Sequence, residues 1–141
     1  MSLVYWDTML FIYWLESNPQ YGKQVERIHK RMLQRGDQIC TSVFAVGEVL
    51  TGAYKTGRTK EALTLRKYLE GGGIRLLAFG VETADRYARI RAQYNVSPAD
   101  AIHLATASVA QVDLYITNDA GVKKLLVDGI KFIAGLDGTI F

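Results

Sequence analysis

Four acidic residues stand apart from every other charge in the chain. Asp7 is the only charged side chain in residues 1–15, Glu48 in 38–54, Asp100 in 92–112 and Asp119 in 114–122. Stretches this apolar tend to be buried, and an ionised carboxylate is costly to bury unless a cation or several hydrogen bonds compensate it. Other acids have opposite charges close by. Glu26 precedes Lys30, Glu82 precedes Arg86 and Asp85 precedes Arg89 by one helical step of four, the spacing of solvated pairs along a helix surface.

Were the four solitary acids to share one cleft, their repulsion would dictate its chemistry. Two carboxylates ~5 Å apart repel by about 3 kcal/mol at an effective dielectric of ~20, so such a cleft must take up protons or cations. All-oxygen donors without cysteine select a hard ion, Mg²⁺ or Mn²⁺, over zinc. A hydrated ion of this kind activates water while neutralising phosphate oxygens. The chemistry implied is metal-dependent hydrolysis of a phosphodiester.

The elements that would have to position these acids are legible as an alternation. Residues 3–6, 39–41, 74–79, 114–117 and 131–134 read as strands, the first and fourth continuously apolar as in a sheet covered on both faces. Residues 9–16, 21–35, 43–54, 60–70, 82–94 and 98–111 have helix length and composition. This pattern predicts one α/β domain over residues 1–141, with a mainly parallel sheet between two layers of helices. Asp7 and Asp119 follow strands, so both fall at the carboxyl edge of the sheet, where open α/β sheets bind ligands. Glu48 and Asp100 lie in helices that can be entered from that edge. The run Gly71, Gly72, Gly73 ends a helix, and neither a dinucleotide fingerprint nor a P-loop occurs.

Each acid also has a simpler reading. Asp100 is the fourth residue of Ser-Pro-Ala-Asp, a capping-box pattern with Pro98 at the first helical position. Asp7 can cap the helix that follows it, and Asp119 can be a turn residue after Asn118. On a helical wheel, Val43, Val46, Leu50 and Tyr54 form an apolar face with Glu48 on the far side beside Gly52, where a solvated glutamate would also fall. Glu48 nevertheless has no lysine or arginine within reach along its own helix.

Composition sets the outer bounds. With 49% hydrophobic and 22% charged residues the chain is ordinary globular material, long enough to fold without a staple. A single cysteine, Cys40, excludes an internal disulfide and fits a reducing cytoplasm. The apolar run 3–15 is too short to span a bilayer, carries Asp7 and Thr8, and lacks the layout of a signal peptide, so the expected location is cytoplasmic, with no membrane partner. A net charge of +3 tolerates a polyanionic partner without requiring one.

At the residues singled out, the chain resembles the PIN-domain family, and within it the VapC-type toxin ribonucleases of toxin-antitoxin pairs. The resemblance runs over essentially the whole sequence and rests on V-Y-W-D-T ending at Thr8, the Glu48 helix, S-P-A-D-A-I-H-L-A-T-A around Asp100, and Y-I-T-N-D ending at Asp119. It implies a five-stranded sheet of order 3-2-1-4-5 and a catalytic site in which Asp7, Glu48, Asp100 and Asp119 hold Mg²⁺ or Mn²⁺. It further implies in-line attack of an activated water on RNA, leaving a 5′-phosphate, with the hydroxyls of Thr8 and Thr117 supporting the acids. Met9 departs from the family, where a polar residue often follows the Asp-Thr pair. The Ala-Gly-Val after Asp119 likewise lacks a further acid or aromatic. His103, one turn beyond Asp100, is not catalytic in the family and is expected to be a core or structural histidine. A small antitoxin and a homodimer are partners expected from the resemblance alone.

Two other functions fit parts of the pattern. A non-enzymatic module of the same fold would bind RNA or a protein partner through the cleft. The basic helix containing Lys23, Arg27, His29, Lys30, Arg31 and Arg35, together with Lys55, Arg58 and Lys60, could follow an RNA backbone. A phosphoryl-transfer domain would instead phosphorylate an aspartate after a strand, but Asp7-Thr8-Met9 lacks the second acid that haloacid-type phosphatases carry two residues on.

Overall fold

A computed structural model describes residues 1–137; residues 138–141, the end of the domain range expected from sequence, lie outside the described residues. Strands β1 (Leu3–Trp6), β2 (Gln38–Ser42), β3 (Ile74–Leu77), β4 (Leu114–Ile116) and β5 (Phe132–Ala134) form one sheet of order β3-β2-β1-β4-β5, every pairing parallel. The helices are α1 (Thr8–Leu15), α2 (Gly22–Arg35), α3 (Val43–Lys55), α4 (Thr59–Glu70), α5 (Val81–Gln93), α6 (Pro98–Val109) and the short α7 (Ala120–Lys123). The expected alternation and strand order are present. Boundaries shift by a few residues, and α7 is an addition, too short to leave a helical period in the sequence.

The apolar continuity of β1 comes from burial on both sides. Val4 and Trp6 point into a core shared with α1, α2, α3 and α4, through Leu10, Phe11, Val25, Ile28, Val49 and Leu69. Tyr5 points the other way, into a core with Ile90 of α5 and Ala101, Leu104 and Ala105 of α6. Trp6 is fully buried, and its indole N–H is the one buried side-chain polar atom without a hydrogen-bond partner among the described residues. Rings of Phe11, Trp14 and His29 surround it. His29 therefore does not join the basic face of α2. It turns inward to pack on Trp14 at 4.5 Å between ring centroids, and burial lowers its pKa.

Two acids fasten the amino end of β1. Asp37, just before β2, accepts the Ser2 amide at 2.8 Å, and Asp113, just before β4, accepts the Leu3 amide at 2.8 Å. Arg35 and Lys131 pair with them at 2.8 and 2.9 Å. These bonds set the register of the central strand against both neighbours, and thereby the height at which its other end delivers Asp7. On α5, Asp85 pairs with Arg89 at 2.9 Å as the spacing suggests. Arg86 instead turns from Glu82 to the Ser108 hydroxyl and the Asp128 carbonyl, tying α5 to α6 and the loop before β5.

Candidate active site

The strand order reverses between β1 and β4, and the crevice beyond their carboxyl ends is where an open α/β sheet binds ligands. Asp7 leaves β1 there in extended conformation and becomes the residue before α1, without capping it through its side chain. Thr117 leaves β4 at the same level, fully buried, and its hydroxyl donates to Asp7 Oδ2 at 2.7 Å. The same hydroxyl accepts the Asp119 amide at 3.1 Å, so one threonine ties the two loops together.

Asp119 is more than a turn residue. Its Oδ1 accepts the amides of Gly121 and Val122 at 2.8 and 3.2 Å, capping α7 and leaving Oδ2 without a partner among the described residues. Asp100 reaches the crevice from α6. Ser97 caps that helix by accepting the Asp100 amide at 3.1 Å, and Pro98 occupies its first turn. Of the capping box, the Ser97 half is therefore present. Partial burial raises the Asp100 pKa; the Ser97 hydroxyl opposes this, and the negative charges of Asp119 and Asp7 raise it further. Asp100 thus feels the charge of two of the other acids.

Glu48 arrives on α3, whose amino end is fixed at the same edge by Ser42 accepting the Ala45 amide at 2.9 Å. The helical wheel misassigned this helix. Its buried face consists of Ala45, Val49 and Ala53, while Val43 and Tyr54 are about half exposed. Small residues let α3 pack closely, and this brings Glu48 to the border of the buried face. There its Oε1 accepts two hydrogen bonds, from the Thr8 hydroxyl at 2.7 Å and from His103 Nε2 at 2.7 Å. His103 is buried, and its Nδ1 lies 2.7 Å from the Tyr5 hydroxyl.

Asp7, Thr8, Glu48, Asp100 and Asp119 consequently line a single open cleft of about 420 Å³, along with Met9, Ile12, Tyr13, His103 and Asn118. Asn118 donates to the Tyr13 hydroxyl at 3.2 Å across its rim. Tyr13 and Asn118 carry no sequence signal of their own, since an aromatic in an apolar helix reads as core and an Asn before Asp reads as a turn. On the far side of Ile12 a more apolar groove of about 530 Å³ runs between α1, α3 and α4, lined by Leu15, Val49, Leu65 and Tyr68.

Among the described residues, no three His, Cys, Asp or Glu side chains stand close enough to form a ready-made metal cage. Mg²⁺ keeps several waters and needs only one or two carboxylates directly. Carboxylates without a thiol are the donor chemistry that such an ion prefers, and four of them line this cleft.

The sequence of residues 4–125 matches the family model of the PIN domain. The chain belongs to the PIN-domain family. No curated protein matches the sequence. Among solved structures, this PIN domain superposes on a chain of the DNA-bound VapBC of Salmonella typhimurium with a TM-score of 0.73 at 20% identity, covering 96% of this chain and 99% of that one. A toxin-antitoxin complex from Klebsiella pneumoniae gives 0.66 at 23% identity, over 90% and 94%. VapC20 of Mycobacterium tuberculosis, a toxin that cleaves the sarcin-ricin loop, gives 0.65 at 13% identity, over 79% and 86%. Identities this low establish the shared fold. No described helix is long and apolar enough to cross a membrane.

Proposed function

We propose that this PIN domain is a Mg²⁺- or Mn²⁺-dependent endoribonuclease, acting in the cytoplasm as the toxin of a toxin-antitoxin pair. The observation that carries the proposal is the gathering of Asp7, Glu48, Asp100 and Asp119, spread over 113 positions of sequence, around one cleft at the switch point of the sheet. The family match and the VapC20 likeness favour RNA as the polymer.

In this reading Asp7, Glu48, Asp100 and Asp119 would hold the cation, one or two of them directly and the others through its waters. When bound, it supplies electrostatic neutralisation of the phosphate and a nucleophilic water at neutral pH. The protein's share is placement. Thr117 fixes Asp7 against Asp119, Thr8 fixes Glu48, and the Ser97 cap fixes the backbone that carries Asp100. Exposed Lys23, Arg27 and Lys30 on α2 are available to phosphates flanking the cut, which would make binding salt-dependent. An antitoxin segment covering the cleft would meet the apolar groove next, since Ile12 lines both. A homodimer remains part of the proposal on family grounds.

The test is cleavage of RNA by purified protein. Asp7→Asn and Asp100→Asn should each abolish cleavage and growth inhibition while leaving the protein folded, and EDTA should do the same until Mg²⁺ is restored. Undiminished cleavage by both variants would refute the assignment.

A further inference from the structure

His103 is built into the cleft wall in a way that a merely space-filling histidine does not require. The ring is 2% exposed and is held from three sides. Nδ1 faces the Tyr5 hydroxyl at 2.7 Å, and Nε2 faces Glu48 Oε1 at 2.7 Å with Thr8 Oγ1 at 3.2 Å. The rings of Tyr5 and Phe44 meet it edge to face, at 5.9 and 5.3 Å between centroids, and prevent it from turning.

Donor and acceptor roles follow from Glu48. An ionised carboxylate only accepts, so Nε2 carries a proton and donates it, whichever charge the ring has. Thr8 donates to the same oxygen. Oε1 thus receives two hydrogen bonds, and none reaches Oε2 among the described residues. Two donors on one oxygen fix the carboxylate plane and leave the other oxygen for the cleft. Glu48 has three side-chain torsions and lies about one-third exposed, so without these donors it would sample many orientations.

We propose that His103 is the positioning residue of the site: its Nε2–H, braced by Tyr5, holds Glu48 so that Oε2 faces the divalent cation. This rests on the metal-dependent reading of the cleft. Partners of this kind, one bond removed from a metal, typically change its affinity by roughly 10–100-fold when deleted. Glutamine can place an amide donor where Nε2 stands, whereas leucine fills the volume and donates nothing.

The experiment is Mn²⁺ titration followed by electron paramagnetic resonance, on wild type, His103→Leu, His103→Gln and Tyr5→Phe. Thermal unfolding in EDTA gives the folding control. The expected result is a dissociation constant raised roughly 10-fold or more in His103→Leu and restored to within about 3-fold in His103→Gln, with an intermediate rise in Tyr5→Phe. Tyr5→Phe keeps the ring packing and serves if His103→Leu does not fold. In the metal-free protein, long-range ¹⁵N correlations should show His103 protonated at Nε2, with that proton shifted by Glu48→Gln. Equal Mn²⁺ affinity in wild type, His103→Leu and Tyr5→Phe, or a ring unprotonated at Nε2, would overturn the role of His103 alone. Absence of any Mn²⁺ binding by wild type would overturn the metal-dependent reading and the role with it.

Discussion

Replacing Thr117 with valine removes a single hydroxyl from the centre of the candidate site and leaves the shape of the side chain intact. Thr117 is completely buried, so no water can take the place of the lost group. Its hydroxyl makes a charge-assisted bond to Asp7 at 2.7 Å and accepts the Asp119 amide at 3.1 Å. A hydrogen bond to a charged group contributes about 1.5–3 kcal/mol and a neutral one about 0.5–1.5 kcal/mol. Asp119 is exposed and its amide can be rehydrated, so the second loss is partly recovered. The net effect should be about 2–3 kcal/mol. For a domain of this size that is a fall of roughly 6–10 °C in the melting temperature. The consequence for the cation should be separable from the loss of stability. Asp7 without its tether reorients, so Mg²⁺ should raise the melting temperature of Thr117→Val less than that of wild type. Thr117→Ser, which keeps the donor and loses only a methyl group, should regain the full Mg²⁺ response while melting slightly below wild type. Differential scanning calorimetry with EDTA and with Mg²⁺ measures both quantities. A Thr117→Val protein that melts and responds to Mg²⁺ as wild type does would refute the view that this hydroxyl organises the acids.

Three further outcomes follow from other parts of the structure. Burial pushes the Cys40 thiol up to about 12, so a thiol reagent at pH 8 should leave the native protein unmodified and label one site after denaturation, as read by mass spectrometry. The Leu3 amide and Lys131 hold Asp113 below its ordinary value of 3.8. A lowered acid stabilises the fold above its unfolded pKa and loses that contribution as pH falls through the folded value. Asp113→Asn should therefore be less stable at pH 7, by about 1 kcal/mol or less for so solvent-accessible a pair, and should converge with wild type as the pH falls through the folded value, which urea titrations at pH 7 and at successively lower pH would reveal. Gly129 has φ +89°, and a Cβ there would collide with the Ser108 carbonyl and lie 2.7 Å from its hydroxyl. Gly129→Ala should destabilise by about 2 kcal/mol or more through that backbone conflict, visible as a lowered urea midpoint.

Much of the architecture is readable in the sequence because the sheet is buried on both faces. Four consecutive apolar residues before Asp7 and three before Thr117 leave little choice but central strands, and parallel strands demand the helices between them. Placing Asp7 and Thr117 side by side then needs only the reversal of strand order. Glu48 is harder, because the buried face of α3 is set by how closely Ala45, Val49 and Ala53 let it approach the sheet. Side-chain hydrophobicity pointed to Val43 and Tyr54, which the tertiary packing leaves outside. His103 is harder still. A histidine in an apolar helix looks like core, and it is core; its link to Glu48 joins residues 55 apart and has no local signature. The two roles of Asp119, cap and cleft wall, likewise separate only when each oxygen's partner is known.

The central claim is that the solitary acids together form a divalent-cation site. A crystal grown or soaked with Mn²⁺, measured at a wavelength where manganese scatters anomalously, addresses it without recourse to any assay of activity. The account predicts an anomalous peak in the cleft within coordinating distance of Asp7, Asp100 or Asp119, and its loss in Asp7→Asn. Peaks elsewhere on the molecule with an empty cleft at saturating Mn²⁺ would contradict it.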